Sequence, residues 1–238
     1  IAEGTVSVFD GGSISNTSEV LVDGPPGNTA TLRVDGIGSG GSLETTGSLT
    51  VGDQGGGALV LRNGGEVTVA ALDGGNGSSR IYFNRGVLRI THPDTASQPV
   101  ELASGGGTIA VRDDGETFTL EGAVTGGGRL TTSGAGTVAL RGANTYGGLT
   151  EVLEGKLLVG GGGELSQTSG VIVDGLSNND ATLRIEWAGS VVTTTGLVTL
   201  GRGGAGNGRL VLADGGRLTA AGLAGDERSD GIHLDEGT

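Results

Sequence analysis

The chain has 238 residues, of which 53 are glycine, 34% are hydrophobic and only 3% aromatic, and it carries a formal net charge of −13. Such a composition undersupplies a wide globular core, and four prolines without a Gly-X-Y period exclude collagen. The charge opposes nucleic acid and anionic membrane surfaces as partners, and the absence of cysteine removes any disulfide framework or thiolate metal site.

Short runs that alternate apolar and polar residues recur about every ten residues, which is the signature of strands. In chain order they are Thr5–Val8, Val20–Val22, Thr31–Val34, Leu49–Val51, Leu59–Leu61, Val67–Val69, Ile81–Phe83 and Val87–Ile90. The series continues with Thr108–Val111, Phe118–Leu120, Val138–Leu140, Leu157–Val159, Val171–Val173, Leu183–Ile185, Val198–Leu200 and Leu210–Leu212. Gly-Gly, Asp-Gly, Asn-Gly and Ser-Gly pairs between the runs accept positive φ and let the chain turn sharply. No helical period of comparable length occurs, and the aliphatic bursts distinguish the chain from a disordered acidic polymer. No stretch is apolar enough to span a membrane as a helix, and Ile1-Ala2-Glu3-Gly4 lacks a basic region followed by an apolar one. The absence of any methionine is what an excised piece would show.

The chain also repeats itself. Thr17–Arg33 (TSEVLVDGPPGNTATLR) returns as Thr168–Arg184 (TSGVIVDGLSNNDATLR), and Leu59-Val60-Leu61 before Asn63-Gly64-Gly65 returns as Leu210-Val211-Leu212 before Asp214-Gly215-Gly216. Residues 17–74 thus match 168–225. A barrel or sandwich does not lengthen by duplication, whereas a β-solenoid adds rungs along one axis with backbones about 4.8 Å apart. The fold class expected is all-β, a right-handed parallel β-helix forming one domain over 1–238. Rungs of roughly 20 residues would give about 12 of them and a rod about 55–60 Å long.

Between the two copies, residues 134–160 read GAGTVALRGANTYGGLTEVLEGKLLVG. This resembles the passenger-associated transport repeat of bacterial autotransporters (type V secretion), whose pattern runs roughly GAGTLTLSGANTYTGGTTVNAGTLLVG, and it departs at Gly147, Leu149 and Glu154. The preceding stretch 86–128 looks like the leader found before that repeat, which places the repeat at about 126–160. The resemblance implies a β-helical passenger exported by a C-terminal outer-membrane barrel that lies outside this chain. It also implies a location at the surface of, or released from, a Gram-negative bacterium.

Candidate chemistry is sparse. His233 and Asp235 alternate on one possible strand with Asp230 nearby, but a solvated polar strand suits them better than a metal site. His92 before Pro93-Asp94 reads as the start of a loop. Asp113, Asp114 and Glu116 read as a solvated acidic turn rather than calcium ligands or an acid/base pair. Gly36–Gly41 and Gly201–Gly206 both satisfy G-x-G-x-x-G without opening a helix. The stretch Gly74–Ser79 imitates a calcium-binding nonapeptide without its Asp or a tandem copy. Asn16-Thr-Ser18 and Asn76-Gly-Ser78 fit the glycosylation sequon but carry little weight. No Gly-x-Ser-x-Gly elbow sits on a strand-to-helix turn. Trp187 is expected outward or packed at a turn, covering the next rung, and Tyr146 is expected to be a structural ring closing the Asn-Thr-Tyr turn.

No catalytic, cofactor-binding or metal residue is therefore assigned. The reading is a non-enzymatic stem segment of a secreted surface protein, supporting adhesion to a host or bacterial surface ligand, or self-association. Nucleic acid binding and membrane insertion of the segment are not expected. The rivals are a passive spacer for a domain elsewhere in the precursor and a β-helical polysaccharide-processing enzyme. The latter would need convergent acidic and basic side chains in a cleft, whereas the 14 basic residues are scattered.

Overall fold

In a computed structural model of the chain, which describes residues 1–38, 40–75, 78–176, 179–201, 207–225 and 231–235, all regular structure is β-strand. Every apolar run named above lies inside a strand. Strand pairs are parallel throughout, and each strand bonds to those one coil before and one coil after it. A parallel pair needs a long crossover, and here the remaining faces of the coil supply it. The result is a parallel β-helix of about nine turns, winding in the right-handed sense that parallel crossovers take.

The coil has three faces. The first runs from Thr5–Val8 through Thr29–Asp35, Gly56–Arg62, Arg80–Asn84 and Val100–Leu102 to Val124–Gly126. Past Val124 it continues as Ala143–Asn144, Glu164–Thr168, Val191–Thr194 and Arg217–Thr219, joined by Thr145 N to Val124 O at 2.8 Å and Gly147 N to Gly126 O at 2.8 Å. The second face likewise has ten strands, from Ser13–Val22 to Gly222–Gly225. The third runs from Asp94–Ala96 to Gly231–Asp235. It is begun by the second halves of Ser13–Val22 and Ser42–Val51 with Ala71–Gly74, to which Asp94 is tied through Leu72 N.

Alternation along each strand turns every second side chain inward, and the register stacks like upon like. On the second face Leu43, Val67, Leu88, Ile109, Thr132, Val152, Val173 and Leu200 form one buried column. On the first, Leu32, Leu59, Ile81, Val100 and Val124 form another. Such narrow columns explain how few aromatics suffice. Where Phe83 does enter the core, Gly107 of the next coil makes room, since a Cβ there would stand 2.5 Å from the ring.

One expectation requires correction. Registered neighbours are separated by as little as 19 residues (Ile81 to Val100) and as much as 29 (Ser13 to Ser42). Coils are therefore mostly longer than 20 residues, and nine rises span about 43 Å rather than 55–60 Å. The shortfall arises because a third face and its corner turns add residues without adding rise. The similar segments do not occupy the same face: Thr29–Asp35 lies on the first face and its counterpart Asp180–Glu186 on the third. Both keep their local geometry, with Leu32 stacked on Leu59 and Leu183 on Leu210. Arg33 pairs with Asp35, and Arg184 with Glu186. The second copy is thus displaced by two-thirds of a coil. The three faces make the same demands on a strand, so a rotated copy packs as well as an aligned one.

Candidate functional site

The sequence motif at residues 143–150 builds the most polar part of the interior. Ala143–Asn144 is a strand of two residues, and the fully buried Asn144 stitches three coils. Its Oδ1 accepts from Val124 N at 3.0 Å on the coil before, and its Nδ2 lies 2.8 Å from Gly142 O and 2.9 Å from Glu164 O on the coil after. Tyr146, also fully buried, turns inward. Its hydroxyl is 2.7 Å from Thr150 Oγ1, which is 3.0 Å from Thr168 Oγ1. Thr168 Oγ1 lies within 2.9 Å of the Gly148 and Gly170 carbonyls. A single direction satisfies the chain, each hydroxyl donating to the next and Thr168 donating to a carbonyl. Burial pushes the Tyr146 hydroxyl above its ordinary value, opposed in part by Thr150, so the phenol is locked as a neutral donor. With no access to solvent, this network holds coils in register and does no chemistry on a ligand. Thr194 Oγ1 donates to Thr168 O at 2.9 Å, and Thr45 Oγ1 to Thr17 O at 2.7 Å, the same staple at corresponding positions of the two similar segments.

Two carboxylates not singled out from the sequence organise corners. Asp23 receives the N–H groups of Asp53 (3.0 Å), Gln54 (3.0 Å) and Gly55 (2.9 Å) from the next coil. The bonds from Gln54 and Gly55 hold its carboxyl below the usual range, burial opposes them, and the Asp53 N–H adds to the lowering. Burial pushes the Asp35 carboxyl up, but hydrogen bonds from Arg33, Asn63 Nδ2 (2.9 Å) and Ile37 N (3.2 Å), with the Arg33 charge, leave it lowered. A spacing signal exists only for Arg33 and Asp35, which share a side of the strand at i, i+2. The loop bonds are invisible before folding.

Sequence candidates scatter over the rod. Asp113, Asp114 and Glu116 form a tight turn with Glu116 N on Asp113 O at 3.2 Å, and Asp113 and Asp114 are exposed. His92 is exposed beside Thr91 Oγ1 at 3.1 Å. His233 and Asp235 share one side of Gly231–Asp235, stacked after Val211 and Ala213, while Asp230 lies outside the described residues. Among the described residues no group of three His, Asp or Glu could hold a metal ion. Gly36–Gly41 leads from one strand to the next and opens no helix, although Ser39 lies outside the described residues. So do residues 202–206 of the second G-x-G-x-x-G match and residues 76–77 of Gly74–Ser79 and of the second sequon. Asn16 is exposed at a register shift with φ +58°. Trp187 adopts φ +70° with its ring against Gly160, where a Cβ would meet it at 2.7 Å. The indole is turn-packed, but it covers the preceding coil rather than the next.

The surface carries a continuous polar groove along the corner between the second and third faces. One stretch of about 450 Å³ is lined by Glu44, Glu66, Arg89, Arg112 and Glu154. It adjoins another of about 430 Å³ with Asp114, Lys156 and Asp180, the two sharing Ala135 and Glu154. Arg89 is committed to Glu66. Elsewhere Arg129 bridges to Glu151 at 3.1 Å and Arg141 to Glu121 at 3.6 Å, so much of the basic side-chain chemistry ties adjacent coils together. No helix is long and apolar enough to cross a membrane among the described residues.

No family profile matches the chain, and no solved structure matches it. It is similar to the Adhesin BmaC autotransporter of Brucella suis biovar 1 (strain 1330), with 33% identity over 145 residues. That similarity takes in 57% of this chain and 4% of the length of that protein, and it supports an autotransporter relationship.

Proposed function

We propose that the chain is a stem segment of an autotransporter-like passenger at the surface of a Gram-negative bacterium, supporting adhesion or self-association without enzymatic activity. The observation that carries this reading is the 33% identity over 145 residues with an autotransporter adhesin, on a chain wound as a rod around unbroken inward columns. Such a rod folds by adding local coil-on-coil contacts, which suits a chain emerging from an outer-membrane barrel. In this reading the barrel lies elsewhere in the precursor, and residues 126–160 serve as the transport-associated repeat, their Asn144 and Tyr146 fixing the register on which later coils stack. Threonines paired across coils on the outer faces, Thr108 with Thr131 and Thr117 with Thr137, lie among charged residues and supply aligned donors and acceptors for contacts between rods. The test is display of residues 1–238 between an export leader and a heterologous barrel, read by protease shaving of intact cells and by cell settling. Shaving together with faster settling than the barrel alone is the expected result. Surface exposure without settling would favour the spacer reading, and retention inside the envelope would overturn the stem.

A further inference from the structure

The corner between the first and second faces collects arginines at Arg62, Arg85 and Arg129. Backbone bonds stack it coil on coil: Gly64 N to Arg85 O at 2.6 Å, Arg85 N to Gly106 O at 2.7 Å, and Gly107 N to Arg129 O at 2.9 Å. The coil between Arg85 and Arg129 has three glycines at this point, Gly105, Gly106 and Gly107. A Cβ on Gly105 would stand 2.7 Å from Arg85 Cγ and 2.3 Å from Asn84 Oδ1. The missing side chains open a notch of about 250 Å³ with a glycine floor, the two arginines on either side, and Thr108 and Thr131 along its wall.

Arg85 stands out in three ways. It holds φ +68°, in the left-handed region, a conformation that costs a bulky residue free energy and that glycine would adopt freely. It is exposed. Among the described residues it has no ion pair, whereas Arg129 is held by Glu151 at 3.1 Å. Two coils separate the arginine backbones by about 10 Å, which lets two long side chains converge on one group.

We propose that this notch binds the oxyanion of an acidic sugar, a carboxylate or sulfate on a polysaccharide. Guanidinium groups recognise such planar or branched oxyanions by paired, charge-assisted hydrogen bonds; the Thr108 hydroxyl and open glycine backbone suit sugar hydroxyls, while Thr131 Oγ1 donates to Glu151 at 3.4 Å. An acidic peptide finds little here to anchor it, because Val87 is the one aliphatic side chain in the lining. Nucleic acid finds no aromatic ring on which to stack a base. The chain's net charge of −13 opposes any polyanion at long range, but screening confines that repulsion to about 8 Å at physiological salt, so a short-range site can act against it.

The test is calorimetric titration of the 238-residue chain, at about 50 and about 150 mM salt, with a heparin-derived hexasaccharide, an oligogalacturonate, a neutral oligosaccharide and a polyglutamate peptide. Arg85→Gly suits the positive φ and preserves the fold. Arg129→Gln probes the opposite wall, Arg112→Gln on the other corner is the control, and circular dichroism verifies each variant. Either acidic saccharide should bind, Arg85→Gly and Arg129→Gln should each weaken it about tenfold or more, and Arg112→Gln should leave it unchanged. Binding of only one acidic saccharide would identify the oxyanion. The proposal is overturned if neither acidic saccharide binds, if Arg85→Gly binds like wild type, or if polyglutamate binds as tightly with the same dependence on Arg85.

Discussion

Replacing Thr132 by valine should stabilise the rod. Thr132 points inward from Leu130–Ser133, between Ile109 on the coil before and Val152 on the coil after, and is 1% exposed. Its Oγ1 has no hydrogen-bond partner. A buried hydroxyl left unpaired costs about 1–3 kcal/mol, and valine replaces it with a methyl group of nearly the same shape while keeping the β-branch that suits a strand. The backbone bond from Leu153 N to Thr132 O at 3.0 Å is untouched. Exchanging hydroxyl for methyl inside an aliphatic column therefore returns the desolvation cost with little repacking, and a gain of about 1–2 kcal/mol is expected. Urea or guanidinium midpoints at neutral pH would measure it, with the slope checked because stacked coils can lose all-or-none behaviour. A midpoint that stays put or falls, at unchanged slope, would refute the claim that this hydroxyl is an uncompensated cost.

Asn144→Ala leaves Val124 N without its acceptor and takes a donor from the Glu164 carbonyl and from the Gly142 carbonyl, which keeps Glu164 N at 3.1 Å, so the same titration should show a loss of about 3 kcal/mol; a loss below about 1 kcal/mol would mean that water replaces the amide. Asp94 gives a pH test, because burial raises its carboxyl above the ordinary value, the Leu72 and Thr95 N–H groups oppose that, and Asp73 adds to it. An acid raised on folding stabilises the native state below its unfolded value of about 3.9 and loses that contribution as pH rises through the folded value. Asp94→Asn should therefore raise the thermal midpoint at pH 7, with the difference vanishing below about pH 4; an equal difference at both would place the effect elsewhere.

The sequence by itself determined the strand character and the inward residues wherever aliphatic bursts occur, as at Leu59–Leu61 and Leu183–Ile185, because period-2 alternation and burial are local demands. The duplication likewise announced a stacked architecture. Among the short strands that escaped are Val124–Gly126, Ala143–Asn144, Thr150–Val152 and Glu164–Thr168. Asn144, Thr150 and Thr168 point inward there yet are polar, and their partners lie 18 to 20 residues away. Coil length escaped for a related reason: corner turns vary freely in length because each coil needs only to return its strands to register. Only the tertiary structure decided that register, and with it the two-thirds rotation between the similar segments, the acceptor role of Asp23 and the unpaired hydroxyl of Thr132. The same holds for Arg85 facing Arg129 across a glycine notch. Residues 44 positions apart in sequence become neighbours through the winding of two coils, and no local preference along the chain encodes that winding.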